Sequence, residues 1–349
     1  MTNTTSSGSG RVRVGLVGAG GFGSYTADII AQIPEIQLAG VADPDLESAS
    51  RVAERYDVPL WSSHEELIAG CDCDAVAVVT PHNTHRDIAV AAARASRHVF
   101  CEKAMAINAA ECHEMIDAAT AAGVKLMVGH KRRFRPAWAE MKRLLDSGEF
   151  GRPVAVNVAG FFGRRIDRFY KSREASGGLL YWAGVHDVDT LRHLMGEVNS
   201  VYATIGPKLH PEIDDLEESI SVTLNFASEA IGSLQVSTYY PMATYRTGFS
   251  YQIVCERGGI AYDPRQVAVV SQIKGEPAQT SFFEGYDATS AFLHEWSNFA
   301  AWILRDEPPV LTGEDGLRCV EILQAAYISA DTGAPVKLPL DADDRRPYG

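Results

Sequence analysis

The sequence predicts an α/β protein with two domains, on three observations. Short apolar runs alternate with longer amphipathic stretches up to about residue 130, and long β-like runs then take over. The chain has 349 residues, 46% of them hydrophobic, which is enough for two apolar cores. We expect a disordered tail over 1–10, a first domain over 11–130 and a second over 131–349.

The first domain is predicted to hold a parallel sheet covered by helices on both faces. Its apolar runs are predicted strands over 12–18, 36–43, 74–80, 98–102 and 124–130. The stretches between them are predicted helices over 22–33, 46–56, 84–95 and 109–122. Strands buried on both faces are apolar throughout, and their alternation with helices is typical of a doubly wound sheet.

The second domain is predicted to contain an antiparallel meander with flanking helices. After a helix and loop over 131–153, β-like runs follow over 154–163, 219–227, 230–240 and 249–257. Helices are predicted near 184–195, 288–305 and 313–330. Short turns such as Ser228-Glu229 and Gly258-Gly259 are typical of antiparallel neighbours.

Composition argues against several kinds of partner. The net charge of -13 disfavours nucleic acid and anionic membranes, because both require a basic face. No apolar run is long enough to cross a bilayer, and the polar start has no signal-peptide pattern.

The six cysteines fit neither a disulfide framework nor a zinc site, so we predict free thiols, no metal and a cytoplasmic location.

A glycine pattern between the first strand and the first helix predicts a dinucleotide site. Gly18 permits a tight turn, Gly20 lets the backbone approach a pyrophosphate, and Gly23 lets helix and strand pack closely. The helix N-terminus adds free N–H groups and a positive dipole end. Phe22, inside the pattern, is assigned to the same cofactor site.

The cofactor is predicted to be NAD. Asp43 ends the second strand at about the expected ~20 residues beyond the glycines, where a carboxylate accepts hydrogen bonds from the ribose 2′-hydroxyl. It would repel the 2′-phosphate of NADP. The alternative is that Asp43 only caps the helix after Pro44, but the register of strands, glycines, helix and acid favours the cofactor interpretation.

Two further strand ends carry polar clusters, at 80–85 (TPHNTH) and at Glu102-Lys103. Ligands of a doubly wound sheet bind beyond the carboxyl ends of its strands, so both clusters are candidates for the site. The simpler alternatives are a helix cap by Asn83 or Thr84 and a surface ion pair for Glu102 and Lys103.

A third candidate lies in the second domain, over residues 176–196. His186 and Asp189 lie three residues apart and share one helix face. Taken alone, this spacing favours a histidine at a helix start that bonds to Asp189.

Six segments together resemble the Gfo/Idh/MocA oxidoreductases. They are VGLVGAGGFG (14–23), VADPD (41–45), TPHNTH (80–85), CEKAMA (101–106), VGHKRRF (128–134) and SGGLLYWAGVHDVD (176–189). The resemblance implies an N-terminal Rossmann domain and a C-terminal α/β domain built on a large, mostly antiparallel sheet. It also implies a homodimer or homotetramer formed through the open face of that sheet.

The resemblance assigns roles to the matching positions. Lys103 is expected beside the nicotinamide and the substrate hydroxyl, and His186 at the same hydroxyl, so these two are the expected catalytic residues. The residues expected to line the nicotinamide half of the cofactor site are Thr80, Asn83, His85, Glu102 and Lys103. The residues expected to bind substrate are Lys131, Arg164, Lys171, Trp182, His186 and Asp187.

Three positions depart from the family pattern. Ala104 stands where proline usually follows the lysine, which removes a fixed φ. Lys131 stands where asparagine is common. Trp182 replaces an aspartate four residues before the histidine, and an indole cannot take a proton. We therefore expect His186 slightly more than Lys103 to be the base, with Lys103 polarising the oxygen.

The segment 161–178 falls where the family binds substrate. Its basic residues are Arg164, Arg165, Arg168, Lys171 and Arg173. Arginine grips carboxylate, sulfonate or phosphate groups bidentately, so an anionic substrate is one interpretation. A solvated loop or a subunit contact is an equal alternative.

The predicted reaction is NAD-dependent oxidation of a secondary hydroxyl of a sugar, sugar acid or cyclitol, or reduction of the ketone. One alternative is redox-neutral glycoside cleavage, in which transient oxidation allows elimination and the hydride then returns. The other is a sensor that binds NAD and a sugar without turnover. The presence of both Lys103 and His186 counts against a sensor.

Overall fold

The computed structural model describes residues 10–161, 172–209, 216–238, 249–283 and 288–341. The chain forms two compact units. The first comprises residues up to 106 together with 111–131 and 287–316, and the second comprises 107–110, 132–286 and 317 onward. The expected domain limits at residues 10 and 130 stay predictions, and the inclusion of 287–316 in the first unit was not expected from the sequence.

The first unit contains a parallel sheet of six strands. The strands are β1 (Val12–Val17), β2 (Ile36–Ala42), β3 (Leu60–Trp61), β4 (Ala75–Val78), β5 (His98–Glu102) and β6 (Leu126–Gly129). Their order is β3-β2-β1-β4-β5-β6, and every neighbouring pair is parallel. This order confirms the predicted doubly wound sheet, and it reverses direction between β1 and β4, where a ligand crevice opens in such sheets.

Helices connect these strands. They are α1 (Gly21–Ile30), α2 (Leu46–Tyr56), α3 (His64–Gly70), α4 (His85–Arg94) and α5 (Ala109–Ala122). Leucine, isoleucine, valine and alanine side chains between the sheet and these helices are buried, as expected for strands covered on both faces. The sequence did not indicate β3 or α3, because both are too short to show a clear hydrophobic period.

A later helix completes the core of the first unit. The helix α9 (Ala288–Arg305) brings Trp296 against Phe100 of β5, with the two rings stacked 3.9 Å apart between centroids. Phe299 packs edge-on against the same two rings. Because Phe100 and Trp296 are both fully buried, this contact holds the middle of β5, two residues before Glu102.

The second unit contains a nine-stranded sheet. Its strands are β7 (Pro153–Phe161), β8 (Val198–Ile205), β9 (Ser219–Phe226), β10 (Ile231–Ser237), β11 (Ser250–Cys255), β12 (Gly258–Asp263), β13 (Ala268–Ile273), β14 (Gln279–Phe282) and β15 (Val336–Lys337). Their order is β14-β13-β12-β11-β7-β10-β9-β8-β15. Along β9 and β11 buried and exposed residues alternate, so one face covers a core and the other is open.

The sheet is mostly antiparallel, as predicted, with two differences in detail. The β7 and β10 strands pair in parallel, because the chain enters them from separate parts of the sequence rather than through a hairpin. Gly258 and Gly259, predicted as a turn, instead begin β12, since Glu256 and Arg257 make the connection from β11. The helices of this unit are α6 (Pro136–Asp146), α7 (Arg173–Ser176), α8 (Val185–Met195) and most of α10 (Gly313–Thr332).

The six cysteines are all buried free thiols, as the sequence predicted. Within the described ranges, no helix combines the length and the apolar character that crossing a membrane would require.

The aromatic contact on β5 yields a stability test. Replacing Trp296 with alanine opens a large cavity behind Phe100, so we expect a loss of about 3–5 kcal/mol in the free energy of unfolding. Urea denaturation followed by circular dichroism measures it. Phe282→Ala, at an exposed ring on β14, is the control and should change stability by less than about 0.5 kcal/mol. Equal, small effects of the two changes would contradict the packing described here.

Candidate active site

The glycine loop between β1 and α1 has the geometry of a phosphate cradle. Gly18 has a φ of +100°, and a Cβ there would lie 2.1 Å from the Val79 carbonyl oxygen. A Cβ on Gly23 would lie 1.9 Å from the Gly18 carbonyl oxygen. A Cβ on Gly20 would meet nothing within 4 Å, so the space in front of the N-terminus of α1 is open. The arrangement fits a pyrophosphate held by helix N–H groups.

Phe22 lies on the first turn of α1 and borders this loop. Its ring is 42% exposed and leans against Tyr25 and Phe292, with centroids 6.0 and 5.7 Å away. Contacts with two other rings therefore hold Phe22 in place, and the rest of its surface is accessible to a ligand.

Asp43, at the end of β2, is connected directly to the glycine loop. Its Oδ2 accepts a hydrogen bond from the Ala19 N–H at 2.7 Å, and its Oδ1 accepts one from the Asp45 N–H at 2.8 Å. The cap of α2 is Asp45, whose carboxylate accepts the Glu47 N–H. Asp43 is therefore not the helix cap that the alternative interpretation required.

The cluster after β4 forms a 3₁₀ turn over His82–Thr84 that leads into α4. The Thr84 hydroxyl bonds to Thr80 Oγ1 at 2.7 Å and to the Pro81 carbonyl at 2.8 Å, and it does not cap α4. The alternative in which Thr84 caps the helix is therefore excluded, because the 3₁₀ turn directs this hydroxyl back toward the end of the strand. Asn83 is exposed at the tip of the turn.

His85 differs from the expectation that it lines the cofactor site. Its ring is fully buried, with Nδ1 3.0 Å from the Ala104 carbonyl oxygen and Nε2 2.9 Å from that of Thr80. Burial lowers the pKa of this imidazole. Because its ring has no exposed surface, His85 cannot contact a ligand. It instead links the segment after β4 to the segment after β5 through its two ring nitrogens.

Glu102 and Lys103 have different surroundings, although they are adjacent. Glu102 is 6% exposed, and its Oε1 has no hydrogen-bond partner among the described residues. Its Oε2 accepts the Lys103 N–H at 3.3 Å. Lys103 is half-buried, while Ala104, Met105 and Ala106 after it are buried. The surface ion pair offered as an alternative is excluded, because the carboxylate lies inside the protein.

Burial raises the pKa of Glu102, and the charges of Lys103 and Lys131 oppose this rise. Lys131 lies in the 3₁₀ turn after β6, and its Nζ is 4.1 Å from the centroid of the Phe292 ring. The end of the parallel sheet therefore combines one buried carboxylate with two ammonium groups.

In the second unit, a π-helical turn over Leu180–Gly184 leads directly into α8. Trp182 lies in this turn and His186 in the first turn of α8, and both side chains are half-buried.

A buried carboxylate fixes the segment before the π-helical turn. Glu217 accepts the Leu179 N–H at 2.8 Å and an N–H of Arg173 at 2.7 Å, and the Tyr327 hydroxyl also bonds to it. Tyr327 in turn accepts the Leu180 N–H at 3.0 Å.

Asp187, which was expected to bind substrate, lies in the core of the second unit. Its side chain is fully buried, and its Oδ1 bonds to Arg132 and, at 2.5 Å, to the Tyr251 hydroxyl. This expectation is corrected, because the successive residues of α8 point in different directions and Asp187 faces the core.

Asp189 likewise does not bond to His186 as the simpler interpretation proposed. It receives a bidentate pair from Arg133, with Nη2–Oδ1 at 2.6 Å and Nε–Oδ2 at 3.1 Å. The two acidic side chains of this helix turn, Asp187 and Asp189, are thus bonded to arginines.

The basic segment is only partly within the described residues. Arg164 and Lys171 lie outside them, so their expected role in substrate binding stays a prediction.

Sequence reasoning missed several residues that build the site. Arg132 and Arg133 were present in a quoted motif, but nothing in the sequence showed which acids they would meet. No sequence pattern pointed to Glu217, Tyr251 or Tyr327, because each bonds to residues that are distant in the sequence.

Comparisons with known proteins give the family. Residues 12–130 match the model of an oxidoreductase family with an NAD-binding Rossmann fold, and residues 142–338 match the C-terminal alpha/beta domain of that family. Myo-inositol 2-dehydrogenase of Thermotoga maritima is 29% identical, over 94% of this chain and 98% of that protein. Inositol 2-dehydrogenase of Acidothermus cellulolyticus is 30% identical, over 82% and 83%.

Two solved structures have similar folds. Levoglucosan dehydrogenase in complex with NADH and levoglucosan has a TM-score of 0.87 at 22% identity, covering 95% of this chain and all of that one. The WlbA dehydrogenase of Bordetella pertussis in complex with NADH and UDP-GlcNAcA has a TM-score of 0.82 at 27% identity, with the same coverage. The chain therefore belongs to the Gfo/Idh/MocA family of oxidoreductases, and residues 12–130 are the NAD-binding Rossmann domain of that family.

Proposed function

We propose that this protein is an NAD-dependent dehydrogenase that oxidises a secondary hydroxyl of a sugar, sugar acid or cyclitol, or reduces the corresponding ketone. The observation that carries the proposal is the edge of the parallel sheet, where the open glycine loop, Asp43 and Lys103 occur together in one unit. Relatives named for inositol and structures solved with levoglucosan or UDP-GlcNAcA support a polyhydroxylated substrate.

The residues present fit the cofactor. The space in front of Gly20 admits a pyrophosphate, and Asp43 keeps carboxylate lone pairs for ribose hydroxyls after accepting two backbone N–H groups. We assign Gly18, Gly20, Phe22, Gly23, Asp43, Thr80, Asn83, Glu102 and Lys103 to holding it. When bound, NAD supplies the hydride acceptor for alcohol oxidation.

Lys103 is proposed to polarise the reacting oxygen. Its neighbours on both sides, Glu102 and Ala104, are buried, whereas Lys103 itself is half-buried. An ammonium group there stabilises negative charge that develops on the substrate oxygen as its proton departs. The buried carboxylate of Glu102 balances this positive charge from within the protein.

His186 is proposed to take the hydroxyl proton. Its imidazole is half-buried at the start of α8. Asp187 and Asp189, the acids beside it on the helix, are bonded to arginines and buried, so neither is placed to take the proton. Trp182, one turn earlier, offers an indole face on which a sugar ring can stack but no proton acceptor. The histidine is thus the base that this turn offers.

The charge of the site favours a substrate with an anionic group. Lys131 places a second ammonium beside Glu102, where the family commonly has a neutral asparagine. Arg164 and Lys171 lie outside the described residues, and both are assigned to substrate binding on the resemblance alone.

The open face of the large sheet is proposed as the surface through which copies of the chain associate. Ile231 and Val254 are exposed and flank Ala155 on neighbouring strands of this face. In the next row, Ser233 donates to Asn157 at 2.7 Å and Asn157 donates to Gln252 at 3.4 Å, so the polar groups there are already ordered. A homodimer or homotetramer would cover this face.

The proposed roles are tested by Lys103→Met and His186→Ala. Since each removes one group that acts on the hydroxyl, we expect each to lower kcat by about 10²–10⁴-fold. His186→Ala should leave NADH binding unchanged, and Lys103→Met should weaken it far less than it lowers kcat, because the other residues assigned to the cofactor remain. Turnover is followed at 340 nm with the best substrate from a panel of inositols, hexoses and uronates. NADH affinity is measured by fluorescence titration.

The controls are Lys142→Met, at an ion pair on α6, and His193→Ala, further along α8. Both should keep kcat within about threefold of the original protein, as for changes outside a site. A catalytic variant that turns over as fast as its control would show that its assigned role is wrong.

The cofactor preference is tested at Asp43. The original protein should use NAD better than NADP, and Asp43→Asn should shrink the ratio of the two kcat/KM values by roughly tenfold or more, because a repulsive charge is removed. Asp45→Asn is the matched control, since asparagine caps a helix as well as aspartate does. A preference for NADP in the original protein, or an unchanged ratio in Asp43→Asn, would refute the argument from Asp43.

A further inference from the structure

The peptide group after Lys103 carries a donor that the family's usual residue lacks. Ala104 stands where proline is common, and proline has no backbone N–H. In this chain the Ala104 N–H is used, because it donates to Nε2 of His82 at 3.3 Å. Ala104 is fully buried, so no water would replace this acceptor if it were lost.

His82 reaches Ala104 from the 3₁₀ turn that follows β4. Its ring is 3% exposed and meets the ring of His85 edge-on, with centroids 5.6 Å apart. His85 in turn lies against the Ala104 carbonyl oxygen at 3.0 Å. The N–H and the C=O of Ala104 are thus each in contact with one of two neighbouring imidazoles.

The hydrogen bond also fixes the form of the His82 ring. A nitrogen that accepts an N–H cannot itself carry a proton, so Nε2 is bare and the neutral ring carries its proton on Nδ1. The acceptor therefore exists only in the neutral imidazole.

We infer that His82 is a positioning residue for Lys103. On one side of Lys103 its own N–H bonds to Glu102, and on the other the next N–H along the chain bonds to His82. Two consecutive backbone donors are thereby tied to buried side chains, which sets the direction in which the lysine leaves the backbone. In proline, the ring restrains the backbone at this position by fixing φ. In this chain, the hydrogen bond from Ala104 to His82 restrains the backbone at the same position. This inference rests on the proposed role of Lys103.

The test uses two substitutions of different chemistry at His82. His82→Phe keeps a planar ring and removes both nitrogens, while His82→Gln places an amide oxygen near the position of Nε2. We expect His82→Phe to lower kcat by roughly 10- to 100-fold, since a misplacement of about 1 Å is costly, with the KM for NAD unchanged. His82→Gln should recover most of the loss. His64→Phe, on α3, is the control and should leave kcat unchanged.

A double-substitution cycle tests the donor itself. In protein that carries Ala104→Pro the N–H is absent, so a further His82→Phe change should cost less than about twofold, as for residues that act through one contact. If Ala104→Pro protein does not fold, the comparison of His82→Phe with His82→Gln decides alone.

Three results would overturn the inference: normal kcat in His82→Phe, equal losses in His82→Phe and His82→Gln, or the same loss with and without Ala104→Pro. Lys103→Met is assayed alongside. If it keeps turnover, the proposed function has failed; if it loses turnover while His82→Phe does not, only the inference about His82 has failed.

Discussion

Successive side chains of a strand point in opposite directions, so two adjacent charged residues at the end of a buried strand have different surroundings. β5 buries the carboxylate of Glu102 and leaves Lys103 half-buried at the edge of the sheet. A buried carboxylate is costly unless cations lie near it, and here Lys103 and Lys131 supply them. The stacked rings of Phe100 and Trp296 hold the strand from behind. The position of the lysine follows from these contacts together.

In the second unit, α8 likewise places neighbouring titratable side chains in different surroundings. His186, Asp187 and Asp189 fall within one turn, and two carboxylates beside a base would alter its chemistry. Arg132 takes up Asp187 and Arg133 takes up Asp189, both in buried pairs that need full hydrogen bonding to be tolerated. The imidazole of His186 is half-buried in the same turn.

The features that could be predicted from the sequence depend on local spacing. Gly18, Gly23 and Asp43 follow from short-range backbone geometry, so the glycine loop and the parallel sheet were predictable from the sequence. The burial of single side chains was not predictable, because it depends on distant partners. Asp187, for example, is buried and bonds to Tyr251, which lies 64 residues away in the chain. The parallel pairing of β7 with β10 escaped prediction for the same reason, since no short turn marks it.

Net transfer of hydride from a secondary alcohol to NAD can be followed by isotope tracing. The substrate found active in the panel is prepared with deuterium on the carbinol carbon and incubated with NAD and the protein. We expect deuterated NADH and the ketone in equal amounts, with none of the label returned to carbon. Label that reappears on a cleaved sugar, with no accumulated NADH, would contradict it and indicate redox-neutral glycoside cleavage.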